Sequence, residues 1–460
     1  MNIRIRRIIM FSFILAFFVI APILIFYASG YRYDIKRGKI LKTGTMMVEA
    51  KDIKNAELFI NDKKQAEPFI EKKFIYNLLP GEYNIRLQKE GYFPWQKKIN
   101  IASGLTTFAT NVILFKSDLP EQIIEGEIVD FAMAPDYNKL VYIKKTDSFY
   151  ELYLYDLALE EQTLFYRVSQ NDKLPNVFWA ASSKKFLIQS GDAELVFDLN
   201  NLKQNTDLAE IIKTQPTTLK WDIASDNILY YLLDNKFYKL DLIAKNSQLF
   251  LSPEAGQINP EFFLEKNDLF YILNLNEQTA LYKYNSNFKT NKNIFSLNNF
   301  KNFQFIESTN NYLGLIDLDL QKLTLIKKIT NDIEINITAQ SVKEFPAKNA
   351  VWDLGQKQLL IYSDFEIFTY DSTTDKDDII NRYGQTIKKA IWYPTLSYMV
   401  VLFEDRVELV DLTVEEGVHN ATILANFDWL SNCFLDKKGK NLFFSAKVGE
   451  QNGLYELQLR

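Results

Sequence analysis

The sequence predicts a mainly β protein: an N-terminal transmembrane helix, a small β-sandwich and an eight-bladed β-propeller. Three observations predict it. An uncharged run extends from Ile8 to Ser29, a period-two alternation fills residues 44–116, and an aromatic residue recurs at intervals of 40 to 48 from Phe131 to Phe434. The expected divisions are residues 1–29 for a cytoplasmic tail and anchor, 30–43 for a basic juxtamembrane linker, 44–116 for the sandwich and 121–460 for the propeller. Abundant aromatics (Phe 35, Tyr 25) with few Gly and Pro favour packed strands.

The first element rests on length and charge. Arg4, Arg6 and Arg7 precede the run Ile8–Ser29, which exceeds the roughly 20 residues needed to cross a bilayer as a helix. Pro22 is tolerated in a membrane helix, and Tyr27 and Tyr31 stand where aromatic rings favour the interface. A cleaved secretory signal has a shorter apolar core, and Ala28-Ser29-Gly30 is a poor cleavage site, so the expectation is an uncleaved single-pass anchor. The arginines place the amino terminus in the cytoplasm and the bulk of the chain beyond the membrane. Arg32, Lys36, Arg37, Lys39 and Lys42 on the far side argue the other way, although a long following domain translocates largely regardless of such charges.

The second element begins at Gly44. Met46–Ala50 and Glu57–Ile60 read as short strands, with "INDKKQ" as the turn after the second. Tyr83, Ile85 and Leu87 share one face of a strand, as do Trp95, Ile99 and Ile101, and Phe108–Phe115 reads as the last strand. About five antiparallel strands in about 70 residues make a small sandwich. The pattern "NAELFINDKK…LPGEYNIRLQKEGYFPWQKKINIASG" resembles the PEGA domain, a small β-sandwich of envelope proteins. The tetrapeptide that names that family is replaced by Lys54-Asn55-Ala56-Glu57. The resemblance implies a surface or spacer role and carries no catalytic residues.

The third element is a repeat. Phe131, Trp179, Trp221, Phe263, Phe305, Trp352, Trp392 and Phe434 mark eight units, with a spacing close to the ~40–45 residues of a four-stranded blade. A second apolar strand follows each aromatic, and a third alternating strand ends late in the unit at Asp156, Asp198, Asp241, Asp371 or Asp411. Such aspartates read as acceptors for the turn to the outer strand rather than as a ring of ligands. The eighth unit is one strand short, and "EQIIEGE" at 121–127 is a spare strand that closes the ring. Seven blades with one divergent unit is the alternative count. The pattern resembles WD-repeat-like propellers, without their diagnostic dipeptides.

The residues argue against most chemistries. With Cys433 as the single cysteine there is no intrachain disulfide, and with His419 as the single histidine there is no histidine-clustered metal site. His419 reads as a surface residue in a turn after Glu415-Glu416-Gly417, and Cys433 as a small core residue. There is no G-x-S-x-G, P-loop, dinucleotide fingerprint or H-E-x-x-H. The loop "DSTTDKDD", with Asp371, Asp375, Asp377 and Asp378, lacks EF-hand spacing and reads as a solvated acidic loop. A net charge of -5 without a basic stripe argues against nucleic acid. No catalytic, cofactor or metal residue is assigned, and the binding residues are left open.

The expected function is therefore non-enzymatic. An envelope protein anchored in the membrane presents its propeller as a binding or scaffolding module for another envelope protein or a cell-wall polysaccharide. The alternatives are a carbohydrate-active hydrolase or lyase with its site at the propeller axis, and a purely structural spacer or assembly component.

Overall fold

The computed structural model describes residues 3–35, 37–253, 256–297, 302–331, 334–336, 342–412 and 419–460. Lys36 of the basic segment, Glu415-Glu416-Gly417 and the turn that follows Asp411 lie outside the described residues. Two compact units form, one built from residues 1–119 and the other from the bulk of residues 120–457.

In the first unit, residues Ile3–Ala28 make one 26-residue helix with Pro22 inside it. At about 1.5 Å per residue it is about 39 Å long, and the segment Ile5–Ala28 is long and apolar enough to cross a membrane. The segment read as a plain linker is instead a hairpin, Tyr31–Asp34 paired with Lys39–Lys42. Asp34 makes the turn: its carboxylate accepts from the Arg37 backbone N–H at 3.2 Å, and its carbonyl accepts from Gly38 N–H. Gly38 takes a positive φ of 61° there, which a Cβ would strain. Charge patterning hid this strand pair, because its basic residues suit an exposed two-stranded ribbon as well as a linker.

The sandwich corrects the sequence reading in its wiring. Met46–Ala50 and Glu57–Ile60 are parts of a single strand, Gly44–Ile60. Its first half pairs with Phe69–Leu78, and its second half with Gly81–Gln88. The register shifts between Glu49 and Lys54, and Asn55 sits at φ 61°, so a bulge bends the strand from one sheet into the next. Phe69–Leu78 was not anticipated: its run of charges breaks the alternation that marks the other strands. The last strand, Thr106–Val112, lies parallel to Thr45–Ala50, not antiparallel. Met46, Val48, Leu58, Phe69, Ile85, Leu87, Trp95 and Ile101 form the common core.

The second unit is an eight-bladed propeller. The first strands are Glu127–Met133, Asn176–Trp179, Thr218–Trp221, Gln257–Glu265, Phe303–Phe305, Asn349–Trp352, Lys389–Trp392 and Trp429–Leu435. Each opens a four-stranded antiparallel meander. In the eighth blade the fourth strand is Glu121–Glu125, from the start of the array. It pairs antiparallel with Gln451–Gln458, in the register Leu454 to Ile124 and Glu456 to Glu121. Ile124 and Leu454 join Phe131, Leu140, Tyr142 and Phe443 in one buried cluster that seals the eighth blade to the first. Closure of this kind removes two sheet edges.

The recurrent aromatics sit at or near the end of each first strand and tie blade to blade. The indole N–H of Trp179 donates to Ala132 O at 3.0 Å, that of Trp221 to Phe178 O at 2.9 Å, and that of Trp392 to Val351 O at 3.1 Å. Phe131 and Phe434 meet edge to face at 5.5 Å across the closing seam. The fifth blade departs from the repeat: a hairpin, Ile329–Asn331 with Glu334–Asn336, intervenes before its outer strand Val342–Pro346. That insertion explains why the Phe305-to-Trp352 interval is longer than most.

Candidate functional site

An antiparallel meander places its first-to-second and third-to-fourth turns on one face of the ring. The second-to-third hairpins and the blade connectors lie on the other. The first of these, here the turn face, is built from aspartate-capped turns. Between third and fourth strands, Asp156 accepts from the N–H groups of Ala158 and Leu159, and Asp241 from those of Ile243 and Ala244. Asp371 does the same for Thr373 and Thr374, and Asp198 for Asn200. In the fourth blade Asn285 takes the role, accepting from Asn287 and Phe288. Between first and second strands, Asp222, Asp353 and Asp436 accept two or more backbone N–H groups each. The Thr373 hydroxyl and these N–H bonds hold the Asp371 carboxyl below the usual carboxylate range.

The capping explains the repeated acids, and it has a second effect. A turn whose N–H groups are pinned presents the intervening side chain outward in one conformation. At several positions that side chain is apolar: Ile243 is 75% exposed, Phe288 77% and Leu354 91%. Leu159 and Ile223 are exposed in the same way. Burying one such side chain against a partner is worth ~1.5–3 kcal/mol, and a pinned turn loses little entropy on binding. Sequence reasoning named the third-strand caps Asp156, Asp198, Asp241 and Asp371 and missed Asp222, Asn285, Asp353 and Asp436 and these apolar neighbours. The available signal was an apolar residue one to three places after a capping Asp or Asn.

The acidic loop of the sixth blade carries ion pairs, not a cage. Lys343 Nζ lies 3.0 Å from Asp375 and 3.3 Å from Asp377, and the hydrogen bond it donates leads the downward shift of the Asp375 carboxyl. Among the described residues no group of three or more His, Cys, Asp or Glu is placed to hold a metal.

At the axis, polar side chains of neighbouring first strands are joined to one another. Lys220 Nζ lies 2.5 Å from Glu261 and donates to Phe262 O. Lys389 donates to Asn432 at 3.0 Å, and Asn432 donates to Asp130 at 3.3 Å. These carboxylates are committed to structural partners in adjacent blades.

His419 departs from expectation: it is buried, with Nδ1 3.2 Å from Asp411 O. The ring is drawn in because residue 419 leads into the fourth strand of the seventh blade, against the end of the third. Cys433 is buried in a first strand, and burial pushes its thiol up, away from the reactive thiolate.

One buried cation was not foreseen. Lys328 is 5% exposed, and its ammonium donates to Glu265 at 2.6 Å, Ser308 Oγ at 2.6 Å and Thr309 O at 2.9 Å. Burial lowers its pKa, and the Glu265 carboxylate pulls it back up. With three acceptors for three protons, the group is a tie between the fourth and fifth blades at the root of the inserted hairpin, not a nucleophile.

The chain matches no protein-family model and no curated protein. It is similar to several solved structures. The C-terminal WD40 domain of Sif2 aligns over 74% of this chain and 99% of its own, with a TM-score of 0.51 and 13% identity. The Dos1 propeller aligns over 75% and 96%, with a TM-score of 0.50 and 14% identity. An oligogalacturonate lyase in complex with manganese aligns over 73% and 99%, with a TM-score of 0.44 and 13% identity. At these identities the likeness is one of fold alone: the second unit is a WD40-like, eight-bladed propeller.

Proposed function

We propose that this chain is a membrane-anchored, non-enzymatic binding protein whose propeller docks another protein through its turn face. The observation that carries the reading is the set of apolar side chains, Ile243, Phe288 and Leu354, held outward on aspartate- or asparagine-capped turns. Exposed apolar groups on an otherwise polar, rigid face suit a protein partner better than a polysaccharide, which is held by hydrogen bonds and stacked rings. In this reading the helix Ile3–Ala28 is the anchor that spans the membrane, and the sandwich, a PEGA-like stalk, lies with the propeller on the extracytoplasmic side of a cell envelope.

The test is crosslinking and affinity capture of the full chain from its native membrane, comparing the parent with I243S/F288S/L354S. The expected result is loss of the main partner, by 10-fold or more, with an unchanged melting temperature, since exposed positions contribute little to stability. Equal recovery by both would overturn the assignment of the face. Protease accessibility on intact cells reports the side of the membrane independently.

A further inference from the structure

The second blade contains a cavity that the turn face does not share. Its volume is about 210 Å³, more than ten times the ~10–15 Å³ that one water needs. The lining comprises Asp192, Glu194, Leu208, Ile212, Lys213 and Gln215, with smaller contributions around them. The backbone explains the opening. Glu194 lies on the third strand, Ala193–Asp198, opposite Gln189 of the second. The fourth strand ends at Asp207, opposite Leu195, so Glu194 has no strand partner on its outer side. There the chain leaves the sheet in a short 3-10 turn, Leu208–Glu210, and arches over the gap on its way to the third blade. Leu208 and Ile212 pack into the core between the two blades and give the cavity an apolar floor.

Glu194 is the unusual wall. It is 6% exposed, and its Oε1 accepts one hydrogen bond, from Gln189 Nε2 at 3.1 Å. Among the described residues no donor reaches its second oxygen. Among the described residues no lysine or arginine pairs with it, and Lys213, though in the lining, adds no favourable charge to it. The charges nearest in character are acids: Asp207 repels it, and Asp192 stands on the hairpin beside it. Burial pushes the carboxyl up to about 7, Gln189 pulls it down, and Asp207 raises it further. A buried, unpaired carboxylate among acids is costly unless a cation joins it.

We propose that this cavity binds a primary alkylammonium group, the ammonium on Glu194 and the alkyl chain over Leu208 and Ile212. The site takes an organic cation because the carboxylate asks for positive charge and hydrogen-bond donors while the floor asks for hydrocarbon. A bare divalent ion does not fit that demand: the acids here do not converge as a ligand set. The cavity is on the connector face, so its occupation is independent of docking on the turn face. Binding holds Glu194 ionised and is therefore linked to pH: affinity rises as Glu194 loses its proton and falls when acid neutralises it.

The experiment is calorimetric titration of the full chain in detergent with n-pentylamine at pH 5.5 and pH 8. A group that titrates near 7 is ionised to about 3% and about 90% at these values, so affinity is expected to be about thirty-fold weaker at the lower pH. n-Pentanol, of the same shape without the charge, is expected not to bind. E194Q keeps the shape and the Gln189 contact and is expected to abolish amine binding at both pH values. A peptide bearing a single lysine forms the second arm: tighter binding than pentylamine assigns the ammonium to a protein side chain, and weaker binding to a small free amine. Amine binding by E194Q equal to the parent, affinity independent of pH, or equal binding of pentanol would each overturn the proposal.

Discussion

Glu194→Gln should stabilise the empty protein above neutral pH and leave it unchanged in acid. The reasoning is a linkage argument with a definite sign. In the unfolded chain the carboxyl titrates at its ordinary value of 4.5, and in the fold burial lifts it to about 7. Between those values the native state holds a proton that the unfolded state has released, so stability falls as pH rises across the window. Below pH 4.5 both states are protonated and the term vanishes. Above pH 7 the cost is greatest: about 2.5 pH units at ~1.36 kcal/mol each set an upper bound of about 3 kcal/mol, which water reaching the cavity reduces. Glutamine is the uncharged shape of the same side chain and can still accept the Gln189 bond. For a propeller of roughly 340 residues, 1 kcal/mol moves the melting temperature by about 1–1.5 °C. The variant should then melt above the parent at pH 8, by up to about 3–5 °C, and with it at pH 4. Tryptophan fluorescence during heating, measured at half-unit pH steps, gives the difference curve directly. Carboxyls shifted the other way, such as Asp156 and Asp371, cancel in that difference. Parallel curves for the two proteins across pH 4.5–7 would refute the claim that Glu194 is buried without a counter-charge.

Two further substitutions test how the ring is held. Lys328→Met leaves Glu265 without its buried partner and should cost ~3–5 kcal/mol; a melting temperature within 1 °C of the parent would show that the tie carries no load. Gly453 faces Glu125 across the closing seam, and a Cβ there would overlap the carbonyl oxygen of Ile124, so G453V should open the seam and expose residues 121–125 to limited proteolysis. G384A, with no atom near its added Cβ, is the matched control and should melt like the parent.

The repeat was legible because it is chemically redundant. One aromatic near the end of each first strand, one alternating third strand and one capping acid recur in most of eight units, and each is required locally by the blade that contains it. The spare strand at 121–125 was legible for the same reason: an unpaired edge in the last unit needs a partner of that length. The membrane-length helix declared itself by an apolar run that no turn interrupts.

Other features depend on what lies across from a residue, and a linear pattern does not hold that. The two sheets of the sandwich share one strand only because a bulge near Asn55 bends it, and the parallel strand 106–112 is set by a partner some sixty residues away. His419 and Lys328 are buried by neighbours from other strands. Glu194 shows the division most clearly. Its strand, its alternation and its hairpin follow from the residues around it. That its outer strand partner is missing, so that a carboxylate stands over an apolar floor without a counter-charge, is decided by where the chain at Asp207 turns away. Local sequence specifies the elements because hydrogen bonding and side-chain period act over a few residues. Burial and pairing of charge act across space, and only the folded chain assigns them.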